Sequence, residues 1–354
     1  MLYPLKFKPL YKDYVWGGRN LEALGKTLPA EGIVAESWEV SCHKNGSSVI
    51  ANGEYMGLTL PELLEKLGRE LLGKSLQQKD IEKFPLLVKF IDAENNLSVQ
   101  VHPDDAYAYE NENGEYGKNE MWYIISAKPG SKLVYDVVPG TTREIFAAAV
   151  AENKVESCLK TVEVFEGDVI NIPAGLVHAI GKGIVLAEIQ QNSDTTYRVY
   201  DYGRVGRPLH ISKALDVIDF NSADRTEKFT GLALQLGTGS TKRIVIANQY
   251  FCAEVYKVDG KISENANGEK FYIFTFTSGS GMISWNDGEL SIRAGESILI
   301  PAAMGSYSLS GKFTALKAYV PDLDADVIKP LKSSGKSMDE IVSKVGGIRS
   351  APAK

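Results

Sequence analysis

Glu166-Gly167-Asp168-Val169-Ile170-Asn171-Ile172-Pro173-Ala174 returns in kind as Ala294-Gly295-Glu296-Ser297-Ile298-Leu299-Ile300-Pro301-Ala302. Each copy reads as a Gly-acid turn, a short strand rich in isoleucine, and a Pro-Ala stop. Upstream, Glu120-Met121-Trp122-Tyr123-Ile124 is echoed by Glu269-Lys270-Phe271-Tyr272-Ile273. More loosely, Leu97-Ser98-Val99-Gln100-Val101-His102 is echoed by Phe251-Cys252-Ala253-Glu254-Val255-Tyr256. The matches keep their order in both halves, which is the mark of a duplicated β-domain. On this alignment Gln100 and His102 stand opposite Glu254 and Tyr256, and His178 stands opposite Ser306. One copy therefore keeps both histidines and the other has neither, so one active and one structural domain are expected.

Outside the repeat, strand-like runs dominate. Residues 47–50, 84–90, 121–126, 162–172, 271–276 and 297–300 are short, rich in β-branched or aromatic side chains, and often bounded by Gly, Pro, Asn or Asp. That spacing predicts a mainly β sandwich or barrel. The clearest helix starts at Thr59, where Glu62 completes a capping box and Leu60, Leu63, Leu64 and Leu67 follow at helical spacing. Two more helices are expected over 143–159 and 211–218. In the tail, 333–336 reads as a loop, 338–345 as a short helix, and 346–354 as frayed.

The 354 residues carry 39 Lys plus Arg against 45 Asp plus Glu, a net charge of −6. That balance argues against nucleic-acid or anionic-membrane partners, which need a basic stripe. Hydrophobic content of 44% and charged content of 24% are those of an ordinary globular chain. The first residues have no apolar stretch of signal-peptide length, and no run approaches the ~18 apolar residues of a membrane span. Cys42, Cys158 and Cys252 are scattered and form no CxxC, so neither a disulfide framework nor a thiolate zinc site is expected. A cytoplasmic protein is the expectation.

Two of the four histidines sit in chemically suggestive contexts. Alternation through Ser98-Val99-Gln100-Val101-His102-Pro103 puts Gln100 and His102 on one face of a strand. Lys118 and Glu120 lie two apart in Gly117-Lys118-Asn119-Glu120-Met121-Trp122, and His178 closes Ile172-Pro173-Ala174-Gly175-Leu176-Val177-His178. An amide oxygen, two imidazoles and a carboxylate form a mixed N/O set suited to a divalent transition metal, with Zn²⁺ the default and Mn²⁺, Co²⁺ or Fe²⁺ alternatives. Against this, a lone strand histidine is more often a hydrogen-bonded structural residue. His43 and His210 are read that way, and Trp16 and Trp38 as packing. Gly68-Arg69-Glu70-Leu71-Leu72-Gly73-Lys74-Ser75 matches GxxxxGKS letter for letter, but a leucine-striped helix precedes it where a P-loop needs a strand. It is read as a helix C-cap at Gly68 followed by a loop, not a nucleotide site.

These residues resemble the class I mannose-6-phosphate isomerases (phosphomannose isomerases) in their compact bacterial form. Five stretches carry the likeness: Tyr14-Val15-Trp16-Gly17-Gly18; Glu36-Ser37-Trp38-Glu39-Val40-Ser41; residues 84–105, including Gln100-Val101-His102-Pro103; Lys118-Asn119-Glu120-Met121-Trp122-Tyr123; and Asn192-Ser193-Asp194-Thr195-Thr196-Tyr197-Arg198. The resemblance implies a pair of cupin-type jelly rolls with a few short helices. The implied division is a catalytic metal-binding cupin over 1–230, a degenerate second cupin over 231–322, and a C-terminal extension over 323–354. It also implies zinc, one per chain, on Gln100, His102, Glu120 and His178. An active-site arginine falls on Arg198, an acidic residue on Asp194 and a lysine beside the metal on Lys118. The sequence departs from the family at Asn119, where Thr or His is common, and at Thr195-Thr196-Tyr197.

The implied reaction interconverts mannose 6-phosphate and fructose 6-phosphate through a cis-enediolate. Arg198, always cationic, is expected to stabilise that anion or to hold the phosphate. Lys118 and Asp194 are expected to serve proton transfer or ring opening, with the base left open among them. The partner is then a small sugar phosphate, and a monomer is the default. Two rivals stand beside this reading: an Fe(II) oxygenase built on His102, Glu120 and His178, and a non-catalytic sugar-binding cupin. Gln100 as a fourth ligand argues against the first, because O₂ chemistry wants that position open.

Overall fold

The computed structural model describes residues 2–221, 225 and 227–348. The first half contains two antiparallel sheets that share a core. One has six strands, in the order Val169–Ile172, Glu120–Ala127, Ile184–Gln191, Leu86–Ala93, Glu36–Val40 and Leu10–Lys12. Its central pair, Leu86–Ala93 and Ile184–Gln191, is buried at every position, which explains why those runs read as continuously apolar rather than alternating. The other sheet has five strands, in the order Leu159–Glu163, Lys132–Val137, His178–Ile180, Val99–Val101 and Tyr197–Tyr200. Trp16, Ile91, Trp122, Leu133, Tyr135, Ile170 and Ile180 fill the space between them. A mainly β architecture is what the strand spacing predicts.

The second half is a nine-stranded antiparallel sheet. Three of its strands, Cys252–Ala266, Tyr272–Trp285 and Gly305–Tyr319, run for 15, 14 and 15 residues. The N-terminal strand Leu5–Lys8 joins this sheet beside Ser297–Ile300, with Leu5 opposite Leu299. Tyr256, Phe274, Phe276, Ile298, Tyr307 and Leu309 make a second, separate core.

Backbone pairing shows the duplication and corrects its register. Ile172 pairs with Glu120 in the first copy, while Ile300 pairs with Tyr272 in the second. Glu120 therefore corresponds to Tyr272, three residues beyond the Glu269 that sequence matching picks. The looser match fails outright. Met121, Ile189 and Val88 lie side by side, as do Ile273, Ala318 and Ala253. Glu254 thus corresponds to Lys89, not to Gln100, and Lys317 corresponds to Glu188. Gln100 pairs with His178, and Asn265 pairs with Ser306. The cause is strand length: Cys252–Ala266 runs unbroken through what the first copy splits into Leu86–Ala93 and Val99–Val101.

The capping box at Thr59 is present, with both reciprocal hydrogen bonds, on the helix Leu60–Leu67. Gly68 caps it, but the P-loop look-alike then forms a short helix, Arg69–Leu72, rather than a loop, because Leu71 and Leu72 are buried against the second half. The helix expected over 143–159 stops at Ala151, and a 3₁₀ turn follows over Val155–Cys158. Asn153 between them adopts a positive φ of 55°, which an α-helix cannot continue through. The run 162–172 is two strands, broken at Gly167 with φ 86°. Within the expected frayed tail, Gly346 exchanges backbone hydrogen bonds with Val245 and Ala247, and Ile348 is buried. Residues 349–354 of that tail lie outside the described residues. No helix among the described residues is long and apolar enough to cross a membrane.

Candidate metal centre

Three neighbouring strands of the five-stranded sheet set out the site. His178 lies directly opposite Gln100, and Gln100 lies opposite Arg198 on the next strand. Residues opposite each other in a ladder share a face, so all three side chains leave the sheet together. His102, two residues beyond Gln100, keeps that face. His178 begins a short strand of its own, His178–Ile180. Glu120 comes from the six-stranded sheet as the first residue of its strand, fixed between Ile172 and Gln190.

His102, Glu120 and His178 are each at most 1% exposed, and their ligand atoms all lie within 4.8 Å of one another. His102 Nε2 is 3.1 Å from Glu120 Oε1, and His178 Nε2 is 4.0 Å from Glu120 Oε2. The Gln100 amide end sits 3.4 Å from His178 Nε2. Each imidazole uses Nδ1 on a carbonyl: His102 on Thr195 and His178 on Leu176, both at 2.9 Å. A carbonyl only accepts, so Nδ1 carries the proton and both Nε2 lone pairs turn inward.

Protonation matches that geometry. Burial, helped by the Lys118 charge, pushes His102 down to about 3. Burial also lowers His178. Burial works to raise Glu120, but Lys118 and then His102 outweigh it and hold the carboxyl well below its ordinary range. Two neutral imidazoles and an ionised carboxylate are the forms a divalent metal binds. Both Glu120 oxygens are buried without an aligned hydrogen-bond donor, although Lys118 Nζ stands only 2.7 Å from Oε1. A buried carboxylate left in that state is costly, and a cation between the three groups would satisfy it. The residues present fit a divalent metal.

Of this set Gln100 lines a cavity of about 310 Å³, whose wall also includes Lys118, Asp194, Arg198, Lys89 and Glu188. All three residues expected to act in catalysis, Arg198, Lys118 and Asp194, thus line one cavity. Arg198 donates to Ser98 Oγ at 3.2 Å and to the Pro208 carbonyl at 2.9 Å. Asn45 Nδ2 donates to Asp194 Oδ2 at 2.9 Å. Burial works to raise Asp194, but Lys89, that hydrogen bond and Lys118 keep it below its usual range.

Sequence reasoning passed over Lys89, Glu188 and Glu36. Lys89 Nζ stands 3.3 Å from Glu188 Oε1 and 3.6 Å from Glu36 Oε2. Trp122 and Trp38 donate their indole N–H to Glu188 and Glu36 at 2.8 and 2.6 Å. Burial, with the Glu120 charge behind it, pushes Glu188 up to about 7. Burial works to lower Lys89, but Glu36 and Glu188 outweigh it and raise the amine above its usual value. The available signal was a single charge inside each of two otherwise apolar strands, Phe84-Pro85-Leu86-Leu87-Val88-Lys89-Phe90 and Ile184-Val185-Leu186-Ala187-Glu188-Ile189. Trp38 is fully buried, as expected of a packing residue, whereas Trp16 also lines the cavity.

Comparison with known proteins points one way. Residues 4–127 match the profile of the phosphomannose isomerase type I catalytic domain, and residues 240–320 match that of the mannose-6-phosphate isomerase cupin domain. Mannose-6-phosphate isomerase ManA of Bacillus subtilis is 38% identical over 313 residues, covering 87% of this chain and 96% of that protein. The mannose-6-phosphate isomerase of Streptococcus mutans is 34% identical, covering 90% and 99%. The crystal structure of a mannose 6-phosphate isomerase from Bacillus subtilis superposes with a TM-score of 0.82 at 33% identity, over 89% of this chain and 99% of that one.

Proposed function

The chain belongs to the type I phosphomannose isomerase family and is a mannose-6-phosphate isomerase; from that premise we propose that Gln100, His102, Glu120 and His178 hold one zinc ion beside the sugar phosphate it isomerises. The observation that carries the proposal is the inward-facing trio of His102, Glu120 and His178, with both imidazole Nδ1 atoms already committed to carbonyls. A half-turn of the Gln100 carboxamide would exchange its nitrogen for oxygen and complete a mixed N/O set. Bound there, the ion would supply Lewis-acid stabilisation of negative oxygen.

The remaining work falls to the chain. Moving a proton between C2 and C1 through a cis-enediolate needs a group that gives and takes protons near neutral pH. Glu188 fits that demand, since it holds its carboxyl proton up to about pH 7 in the same cavity. Lys118 and Asp194 are the other candidates for proton transfer, Lys118 beside Glu120 and Asp194 in the wall of the same cavity. Arg198, one strand from Gln100, offers a permanent cation to the developing enediolate. Residues 1–230 are the catalytic cupin on this proposal, 231–322 a second cupin without a metal site, and 323–354 an extension. The proposal also takes the protein to work as a monomer in the cytoplasm.

The test is a coupled assay following mannose 6-phosphate to fructose 6-phosphate on metal-analysed protein, before and after chelation and after zinc is restored. Loss and full recovery of turnover are expected. His102→Ala should lose metal and turnover together; a metal-free variant with full activity would overturn the ligand assignment.

A further inference from the structure

The cavity wall carries two groups of charged side chains of different character. One group centres on Gln100, Lys118, Lys89 and Glu188, next to the metal set. There the two lysines are already spent, Lys118 against Glu120 and Lys89 between Glu188 and Glu36. The other group is the arginines, Arg198 and Arg207. The segment from Asp201 to His210 leaves the strand Tyr197–Tyr200 and returns beside it, His210 N donating to the Arg198 carbonyl at 2.8 Å. Tyr202, Gly203 and Gly206 take positive φ values of 54°, 75° and 83°, which bend this segment back on itself. Arg207, on its returning limb, lines the cavity together with Arg198.

Asp201 organises the arginines. Its carboxylate is 4% exposed. It takes Arg204 Nη2 at 2.6 Å and Arg207 Nη1 at 3.0 Å on both oxygens. Two guanidiniums, those of Arg204 and Arg207, thus pair with a single carboxylate, and the Arg198 guanidinium stands within reach of the same charge, so the three cations outnumber it by two. Crowding tells on Arg198, which burial and then the Arg207 charge lower from its usual value. A phosphate monoester carries close to two negative charges at neutral pH and accepts the forked donors of a guanidinium.

We propose that Arg207, held against the cavity by Asp201, grips the phosphate of the substrate, and that Arg198 is left to serve the reacting end of the sugar. The division follows from position. Arg198 stands opposite Gln100, one strand from the metal set. Arg207 lies on the loop beyond it, and only one of its terminal nitrogens contacts Asp201, which leaves the rest of the fork free. The phosphate of a hexose 6-phosphate lies at the opposite end of the carbon chain from C1 and C2, so metal set and phosphate grip belong at opposite ends. This inference rests on the isomerase reading for its substrate, but not for its anion site.

The experiment uses zinc-loaded protein, with Arg207→Gln and Arg207→Lys. Mannose 6-phosphate kinetics and competitive inhibition by inorganic phosphate are measured side by side. Arg207→Gln is expected to raise KM and the phosphate inhibition constant together, about 10- to 100-fold, the value of a charge-assisted contact, with kcat within about threefold. Arg207→Lys keeps the charge but loses the fork and should fall between, which also covers the case of a Gln variant that folds poorly. Unchanged KM and phosphate inhibition in both variants would overturn the assignment. A fall in kcat alone would do the same, by moving Arg207 to the chemistry. If the wild type fails to turn over mannose 6-phosphate, yet phosphate raises its melting temperature in an Arg207-dependent way, the isomerase reading falls and the grip stands.

Discussion

Replacing Asn119 with Ala should loosen the metal site without touching a ligand. Asp105 Oδ1 accepts from Gln191 Nε2 at 2.8 Å, Gln191 Oε1 accepts from Asn119 Nδ2 at 2.7 Å, and Asn119 Oδ1 accepts from Ala174 N at 3.1 Å. A carboxylate only accepts and a backbone N–H only donates, so the two ends of this chain fix which way both amides face. Asn119 thereby ties the Lys118–Glu120 segment to the Pro173–Ala174 loop that leads to His178. The Ala variant loses two hydrogen bonds, worth about 1–3 kcal/mol together. Freed outer partners typically cost about 10- to 100-fold in metal affinity, or about 1.4–2.7 kcal/mol. The assay is zinc competition against a chromogenic chelator, with melting curves of the metal-free and zinc-loaded forms. Asn119→Asp should do at least as badly as Ala, because its second oxygen would face Gln191 Oε1. Wild-type zinc affinity in both variants would refute the argument.

Other perturbations separate the two halves and the two kinds of buried charge. Lys317→Ala removes a buried cation 2.7 Å from Glu264 Oε2 and should destabilise the protein by about 3 kcal/mol. Turnover per folded molecule should not change, and a parallel loss of kcat would contradict a structural role for the second copy. Glu188 is raised to about 7 by burial, so between the usual carboxyl pKa and that value the folded state binds the extra proton. Stability must then fall as pH rises across that window, by about 3 kcal/mol at most. Unfolding free energies of wild type and Glu188→Gln, measured from pH 5 to 8, should diverge in slope; parallel curves would sink the assignment. His102 runs the other way in the metal-free protein. Its depressed pKa means the unfolded state takes up the proton first as pH falls below about 6.5. Metal-free protein should therefore lose stability on acidification from there toward pH 3, and a flat profile by denaturant titration would count against the buried neutral imidazole.

Part of the candidate metal set was legible because it obeys local rules. Gln100 and His102 share a strand face by simple alternation, and their neighbours Val99 and Val101 point the other way into an apolar cluster. The histidines' inward Nε2 atoms were not legible, since the carbonyls that orient them belong to Thr195 and Leu176 and are supplied by tertiary folding. Lys89 and Glu188 escaped for a related reason. A single charge in an apolar strand looks like an error in the pattern until its partner arrives on the next strand, 99 positions away in sequence yet directly opposite in the ladder. The repeat was legible in its turns, because Gly167 and Gly295 both take positive φ. Its register was not, because nothing in a short strand motif reports that one copy has fused two strands into one.

The corrected register also shows how the two copies differ around the candidate site. Lys89 and Glu188 in the first copy correspond to Glu254 and Lys317 in the second, with their charges exchanged. In the first copy Trp122 caps Glu188, and the cavity stays open beside it. In the second, the place of Glu120 is taken by Tyr272, whose ring lies 4.1 Å from Lys317 Nζ. Tyr256, Phe274 and Tyr319 close around the same cation, and Tyr319 donates to Glu254 at 3.3 Å. Aromatic rings thus crowd around Lys317, the counterpart of Glu188, and they bring both apolar area and cation–π attraction. Cutting that cluster back would open space but leave Asn265 and Ser306 where Gln100 and His178 stand in the first copy. A metal site in the second copy therefore needs its ligands restored as well as its cavity, and single substitutions such as Tyr272→Glu should yield a destabilised protein that binds no second zinc ion.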